Sequence, residues 1–267
     1  MIDLTVLNLG AGVQSSTVLL MAEAGELPRP DVAIFADTGW EPTAVYDWLA
    51  ELETLTTIPV ERVAAGNIRD AALETESRFV TLPVHIRNCD GTQGLGRRLC
   101  TKDFKIRPIT KRITELVGGN TRGKDVEQWF GISIDEAQRM RIPSRKYLTY
   151  RYPLIEDLIP PMTRHDCRIW LHNHGHNPPR SACIGCPFHS DSEWRHLRDT
   201  DPDGWADAID FDKQIRNGIT RPGRKPMNGT QYLHRQRVPL DQADLTTAED
   251  HGQINLFGNE CEGMCGV

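Results

Sequence analysis

Residues 7–17 read LNLGAGVQSST; they follow the apolar positions Ile2, Leu4 and Val6 and precede the helix-forming run VLLMAEA (18–24). That order predicts a strand, a tight glycine loop and a helix. Glycines at a strand–helix junction leave bare backbone beside a helix N-terminus, where free N–H groups and the helix dipole favour an anion. The stretch is not the G-x-G-x-x-G of a dinucleotide loop, because Gln14 and Ser15 stand where the third glycine belongs. It also lacks the Gly-Lys-Ser/Thr that ends a Walker loop.

Working outward, the first 65 residues read β-α-β-α-β. Strand one covers 4–9, and helix one runs from about 16 to 24, stopped by Gly25 and Pro28. DVAIFA (31–36) is an almost continuous apolar run, as a strand buried on both faces requires. TAVYDWLAELETL (43–55) places Val45, Trp48, Leu49 and Leu52 at helical spacing, and IPVERVA (58–64) supplies a third strand. Strands alternating with helices predict an α/β fold with a parallel, Rossmann-like sheet. Ligands of such sheets sit at the carboxyl ends of strands. Both GAGVQSS (10–16) and DTGWEP (37–42) fall there.

Further on, TKDFKIRPITKRITELV (101–117) reads as a basic helix broken by Pro108, and VEQWFGIS (126–133) as another strand. Thr163 is placed to cap a helix running through Trp170, with Asp166 in the capping-box position. SEWRHLRDTDPDGWADAIDFDKQI (192–215) reads as two short helices. Residues 1–200 are expected to form a nucleotide-binding domain with an irregular, cysteine-containing later part; residues 201–267 form a basic arm and a cysteine tail.

With 267 residues, 39% apolar and 25% charged, the chain has the composition of a globular protein with a substantial core. No stretch approaches the length of a membrane span. The opening residues run straight into a strand without the features of a signal peptide, so a cytoplasmic location is expected. Seven cysteines there point to metal or redox chemistry rather than a disulfide framework. A net charge of −6 argues against a surface that binds nucleic acid broadly. Residues 213–238, however, carry seven Lys or Arg and no acidic residue, which reads either as a solvated loop or as a basic arm over a phosphorylated or sulfated ligand or RNA.

Cys183-Ile-Gly-Cys186 is a C-x-x-C followed by Pro187. Zinc, an iron–sulfur cluster and a redox pair all use that spacing. Cys89, Cys100 and Cys167 are isolated, and no second C-x-x-C is present. His172, His174 and His176 alternate in HNHGH and read as a solvated helix end. Cys261 and Cys265 lie in the last stretch, NECEGMCGV (259–267), where a tail can deliver a thiol to a site built elsewhere.

Taken in order, these segments resemble the sulfonucleotide reductases, the phosphoadenosine and adenosine phosphosulfate reductases, within the adenine nucleotide alpha-hydrolase-like superfamily. GAGVQSST resembles their version of the PP-loop, with Gln14 where the ATP pyrophosphatases of the superfamily carry Asp. FADTGWEPTAVYDWL resembles the D-T-G segment that helps hold adenosine. RRLCTKDFKIRP and SACIGCPFH resemble the cysteine segments of the iron–sulfur members, and NECEGMC the tail that carries their catalytic thiol.

The resemblance implies a nucleotide site at Gly10, Ala11, Gly12, Gln14, Ser15, Ser16, Asp37, Thr38 and Gly39. It implies sulfate or phosphate contacts from Arg97, Lys102, Lys105 and Arg139, a [4Fe-4S] cluster on Cys100, Cys183 and Cys186, and catalysis by Cys261 with Cys265. The family's adjacent cysteine pair is Leu99-Cys100 here, leaving three ligands. That count is shared with cluster-dependent tRNA thiolation enzymes of the superfamily.

Two enzymes are therefore expected as alternatives. One reduces APS or PAPS to sulfite with a thioredoxin-like reductant. The other uses ATP, with Mg²⁺ if ATP is cleaved, and a sulfur donor to thiolate tRNA or another acceptor. Gln14, a poor Mg²⁺ ligand, favours the first. A third expectation is a non-catalytic redox sensor that binds nucleotide or cluster. No membrane partner is expected, and a homo-oligomer stays open.

Overall fold

The computed structural model describes residues 2–74, 82–217 and 229–247, with 250 and 252. Five strands, β1 (Leu4–Leu9), β2 (Val32–Asp37), β3 (Val60–Ala64), β6 (Val126–Phe130) and β7 (Leu148–Arg151), form one sheet in the order β3-β2-β1-β6-β7. Every pairing in it is parallel. The expected α/β class and parallel sheet are what the chain adopts.

Strand alternation sorts the apolar side chains onto two faces. Leu7, Leu9, Ala33, Phe35 and Trp129 meet α1 (Val13–Glu23), α2 (Thr43–Leu55) and α6 (Arg164–Asn173). Val6, Val32, Ile34, Ala36 and Val126 meet Ile109 and Ile113 of α4 (Arg107–Leu116). Burying each large apolar side chain contributes about 1.5–3 kcal/mol. Helix α1 is buried nearly all round, which explains its unbroken apolar run.

A second core lies beyond the sheet. Helices α3 (Ile68–Leu73), α7 (Asp191–Thr200) and α8 (Pro202–Ile215) pack there with Trp40, Phe104 and Ile184. A small antiparallel sheet joins them: β4 (His85–Arg87) sits between β5 (Gln93–Leu95) and β8 (Thr230–Tyr232). Residues on both sides of position 200 share this core, and Asp212 accepts from the backbone N–H of Leu233 and Leu240 at 2.8 and 3.2 Å. The short α5 (Pro153–Glu156) completes the helices of the described residues.

Two local expectations are corrected. Helix α1 begins at Val13, because Gly12 in extended backbone serves as its N-cap and the loop is shorter than its glycines suggest. Pro108 does not break a helix. A π-helical turn at Thr101–Ile106 runs directly into α4, in whose first turn Pro108 lies with its fixed φ already helical. The remaining strand of the large sheet, β7, comes from KYLTYR, a segment too short and polar to announce itself. The capping box of Thr163 and Asp166 is formed as expected: Thr163 Oγ1 accepts from Asp166 N at 3.1 Å.

Candidate functional site

Chain order runs outward from β1 in one direction through β2 and β3, and in the other through β6 and β7. The connection reverses between β1 and β6, and a crevice opens at the carboxyl ends of strands at such a point. Asn8, Gly10 and Phe130 line both cavities found there.

The first cavity, about 100 Å³, is the glycine loop's own. Gly10, Gly12, Gln14 and Ser15 face Gly131, Ser181 and three arginines, Arg139, Arg164 and Arg180. The loop is tightly wound. Ala11 takes left-handed backbone at φ +54°, Gly10 N donates to Ser15 Oγ at 3.1 Å, and Gln14 Nε2 donates to Ser133 Oγ at 3.5 Å. Close approach of the next strand is equally demanding. A Cβ on Gly131 would lie 2.6 Å from Ser15 N. One buried carboxylate, Glu136, opposes these cations and is paired with Arg139. A cavity of backbone N–H groups, a hydroxyl, an amide and arginines is chemistry for a phosphate or sulfate.

The second cavity, about 80 Å³, is mostly apolar. Phe35 and Ala36 of β2, Ile106 and Ile109, and Phe130 and Tyr150 enclose it, with Gln128 and Thr110 as polar edges. Phe130 and Tyr150 meet edge to face at 4.8 Å. Flat aromatic and aliphatic walls with a few hydrogen-bonding groups suit a heterocyclic base.

Lys105 lines this cavity and a third, of about 30 Å³, where Cys100, Cys183 and Cys186 meet Thr38, Trp40 and Arg98. Thr38 Oγ1 donates to Glu41 Oε1 at 2.9 Å and lies 3.3 Å from Cys183 Sγ. The Cys183 thiol donates to the same carboxylate oxygen at 3.6 Å, and Lys105 Nζ stands 3.8 Å from it. Glu41 Oε2 is buried with no hydrogen-bond partner. Burial pushes the His189 imidazole down to about 4, so it faces the Cys183 carbonyl as a neutral ring.

The three cysteines are the thiolate set that iron–sulfur clusters and zinc prefer. All three line the same cavity. Among the described residues no three Cys, His, Asp or Glu side chains are gathered to hold a metal ion. Cys100, Cys183 and Cys186 are the residues that would hold such a group, and the chemistry below is derived from the chain's own side chains.

No protein-family model matches this chain, and no curated protein does. Among solved structures the chain is similar to phosphoadenylyl-sulfate (PAPS) reductase from Candida auris in its phosphate complex. The two are 12% identical over 68% of this chain and 76% of that one, with a TM-score of 0.42.

The expected site residues divide sharply. Gly10, Gly12, Gln14, Ser15 and Arg139 line the loop cavity, and Lys105 bridges the other two. Ser16 is turned inward, where its hydroxyl accepts from Trp48 Nε1 at 2.9 Å, and Ala11 is buried. Asp37 and Gly39 serve the fold: Asp37 Oδ1 accepts from Gly39 N at 2.7 Å and Tyr46 Oη at 2.8 Å. Arg97 and Lys102 are exposed and line none of these cavities. Cys261 and Cys265 lie outside the described residues.

In the basic stretch 213–238, three described arginines are used within the second core, while Lys213 is exposed. Arg216 pairs with Asp212 and Arg235 with Asp191, while Arg237 Nε donates to the Ile86 carbonyl at 3.1 Å. Arg164, Arg180, Glu41 and Glu136 were not singled out from the sequence. Only proximity in the fold marks them. No helix of the described residues is long and apolar enough to cross a membrane.

Proposed function

We propose that this chain binds an adenine nucleotide across the β1–β6 crevice and reduces an adenosine phosphosulfate to sulfite. The observation that carries the binding half is the continuity of an apolar chamber with an arginine-lined glycine loop, joined through Asn8, Gly10 and Phe130. The base sits between Phe35, Ile109 and Tyr150. Its phosphate accepts hydrogen bonds on the loop, and Arg139, Arg164 and Arg180 balance the charge.

The reaction needs a thiolate. Cys261 Sγ attacks the sulfate sulfur, the S–S bond forms, and the bond from sulfur to the bridging phosphate oxygen breaks. The nucleotide leaves with that electron pair, stabilised by the cations that hold it. Cys265 or a thioredoxin-like dithiol then attacks the Cys261 sulfur, expelling sulfite and leaving a disulfide that the reductant reduces. Gln14 supports this choice, because a neutral amide in the loop is poorly suited to hold Mg²⁺.

ATP-dependent sulfur transfer is the second reading, and one observation favours it. Beyond the loop lies a basic groove with more room than a single sulfate fills. The experiment that separates the two incubates the full chain with adenosine phosphosulfate and a dithiol, and separately with ATP and an acceptor. Sulfite from the first, abolished in Cys261→Ser, supports reduction. Pyrophosphate from the second, with no sulfite from the first, replaces it with sulfur transfer.

A further inference from the structure

We infer that the groove between α6 and α7 is a second phosphate site, built for a run of linked phosphates that continues outward from the glycine loop. The inference rests on the nucleotide part of the reading above and bears on which of its two substrates the chain takes.

The groove has a volume of about 510 Å³. Arg164, Arg168 and His172 line it from α6. Their spacing of four residues places all three on one stripe of the helix, over roughly 12 Å at about 1.5 Å per residue. Arg180 and His176 line it as well, and His196 and Glu193 contribute from α7. Glu193 is paired with Arg180, so three arginines face one carboxylate.

Continuity with the loop decides the ligand. Val13, Arg164 and Arg180 line both the groove and the loop cavity. An anion seated on the loop thus has a cationic path leading away from it, along the stripe and past His196. A single sulfate or phosphate fills only the loop end. A linear oligophosphate uses the whole length, each added phosphate meeting a further cation. Nucleic acid is the weaker fit, because the net charge of −6 offers no broad basic surface to continue the groove.

The test is calorimetric titration of the full chain with AMP, ADP, ATP and inorganic tripolyphosphate, in wild type and Arg168→Glu. Arg168 lines the groove but not the loop cavity. Affinity is expected to rise at least about tenfold from AMP to ATP, the worth of one or more charge-assisted hydrogen bonds. Arg168→Glu should erase that rise and leave AMP binding unchanged. His196→Glu, on α7, should act the same way and stands in if the first variant does not fold.

Equal binding of AMP and ATP by the wild type, or a gain that survives both variants, overturns the inference. Tripolyphosphate that binds through Arg168 while no adenine nucleotide binds keeps the groove and sinks the nucleotide reading. A short single-stranded oligonucleotide that binds through Arg168 more tightly than tripolyphosphate overturns the inference in favour of a nucleic-acid surface.

Discussion

Gly131, just past β6, sits so close to Ser15 of the glycine loop that a Cβ there would fall 2.6 Å from Ser15 N and 2.8 Å from Ser15 Cα. Those contacts are backbone, which no rotamer change relieves. Gly131→Ala must push the first turn of α1 away from β6, at an overpacking cost of about 1–3 kcal/mol. The variant is expected to lose nucleotide affinity by about tenfold or more, because the displaced N–H groups and Ser15 hydroxyl form the anion cradle. Calorimetric titration with AMP checks it. Wild-type affinity in this variant would remove the loop from the site.

Gly185 makes an equally close approach inside C-x-x-C. A Cβ would fall 2.0 Å from Trp40 Cη2, and that indole packs edge to face on Phe211 at 4.8 Å. Gly185→Ala is expected to unseat Trp40 and lower stability by about 1–3 kcal/mol. Urea unfolding followed by tryptophan fluorescence reads both effects. An unchanged midpoint would show that the thiol segment does not rest on Trp40.

Glu23 fastens the end of α1 to the turn before β3. Burial alone would raise its pKa, but hydrogen bonds from Thr56 Oγ1, Thr57 N and Thr57 Oγ1, with the charge of Arg29, bring it down to about 2. A carboxylate lowered in the fold binds protons more readily when unfolded. Its stabilisation is therefore full above about pH 4.5 and is lost as pH falls toward 2. Glu23→Gln should cost on the order of 1 kcal/mol at neutral pH, reduced from the full shift by solvent screening. The two unfolding curves should converge near pH 2; a gap that persists there would assign the loss to packing.

Cys167 lies on the buried face of α6, where burial pushes its thiol up to about 12. Thiolate is the reactive form, so at pH 8 the native chain should be alkylated at exposed Cys89 and spared at Cys167. Peptide mass spectrometry reads each site. Labelling of both at similar rates in the folded chain would contradict this placement.

The sequence carried the fold further than the site. Continuous apolar strands and the helical spacing of Val45, Trp48, Leu49 and Leu52 fix a covered parallel sheet, because burial on both faces leaves a readable pattern. The strands β4, β5 and β8 are three residues each and pair across long separations, so no local period marks them. Loop residues Gly10, Gly12, Gln14 and Ser15 were legible because an anion cradle is contiguous in sequence. Arg164 and Arg180 were not, since two distant segments converge on the loop only in three dimensions. Ser16 misleads in the opposite way. Its hydroxyl stands next to a cradle residue, yet one helical step turns it onto Trp48.

The central claim is that the β1–β6 crevice holds an adenine nucleotide with its base against Phe35, Ile109 and Tyr150. Photolabelling of the full chain with an azido-adenine nucleotide, followed by peptide mapping, tests it most directly. The account predicts label in the peptides carrying Phe35–Ala36, Ile106–Thr110 or Tyr150, displaced by excess AMP and lost in Gly131→Ala. Label confined to other peptides, or label that AMP does not displace, would contradict it.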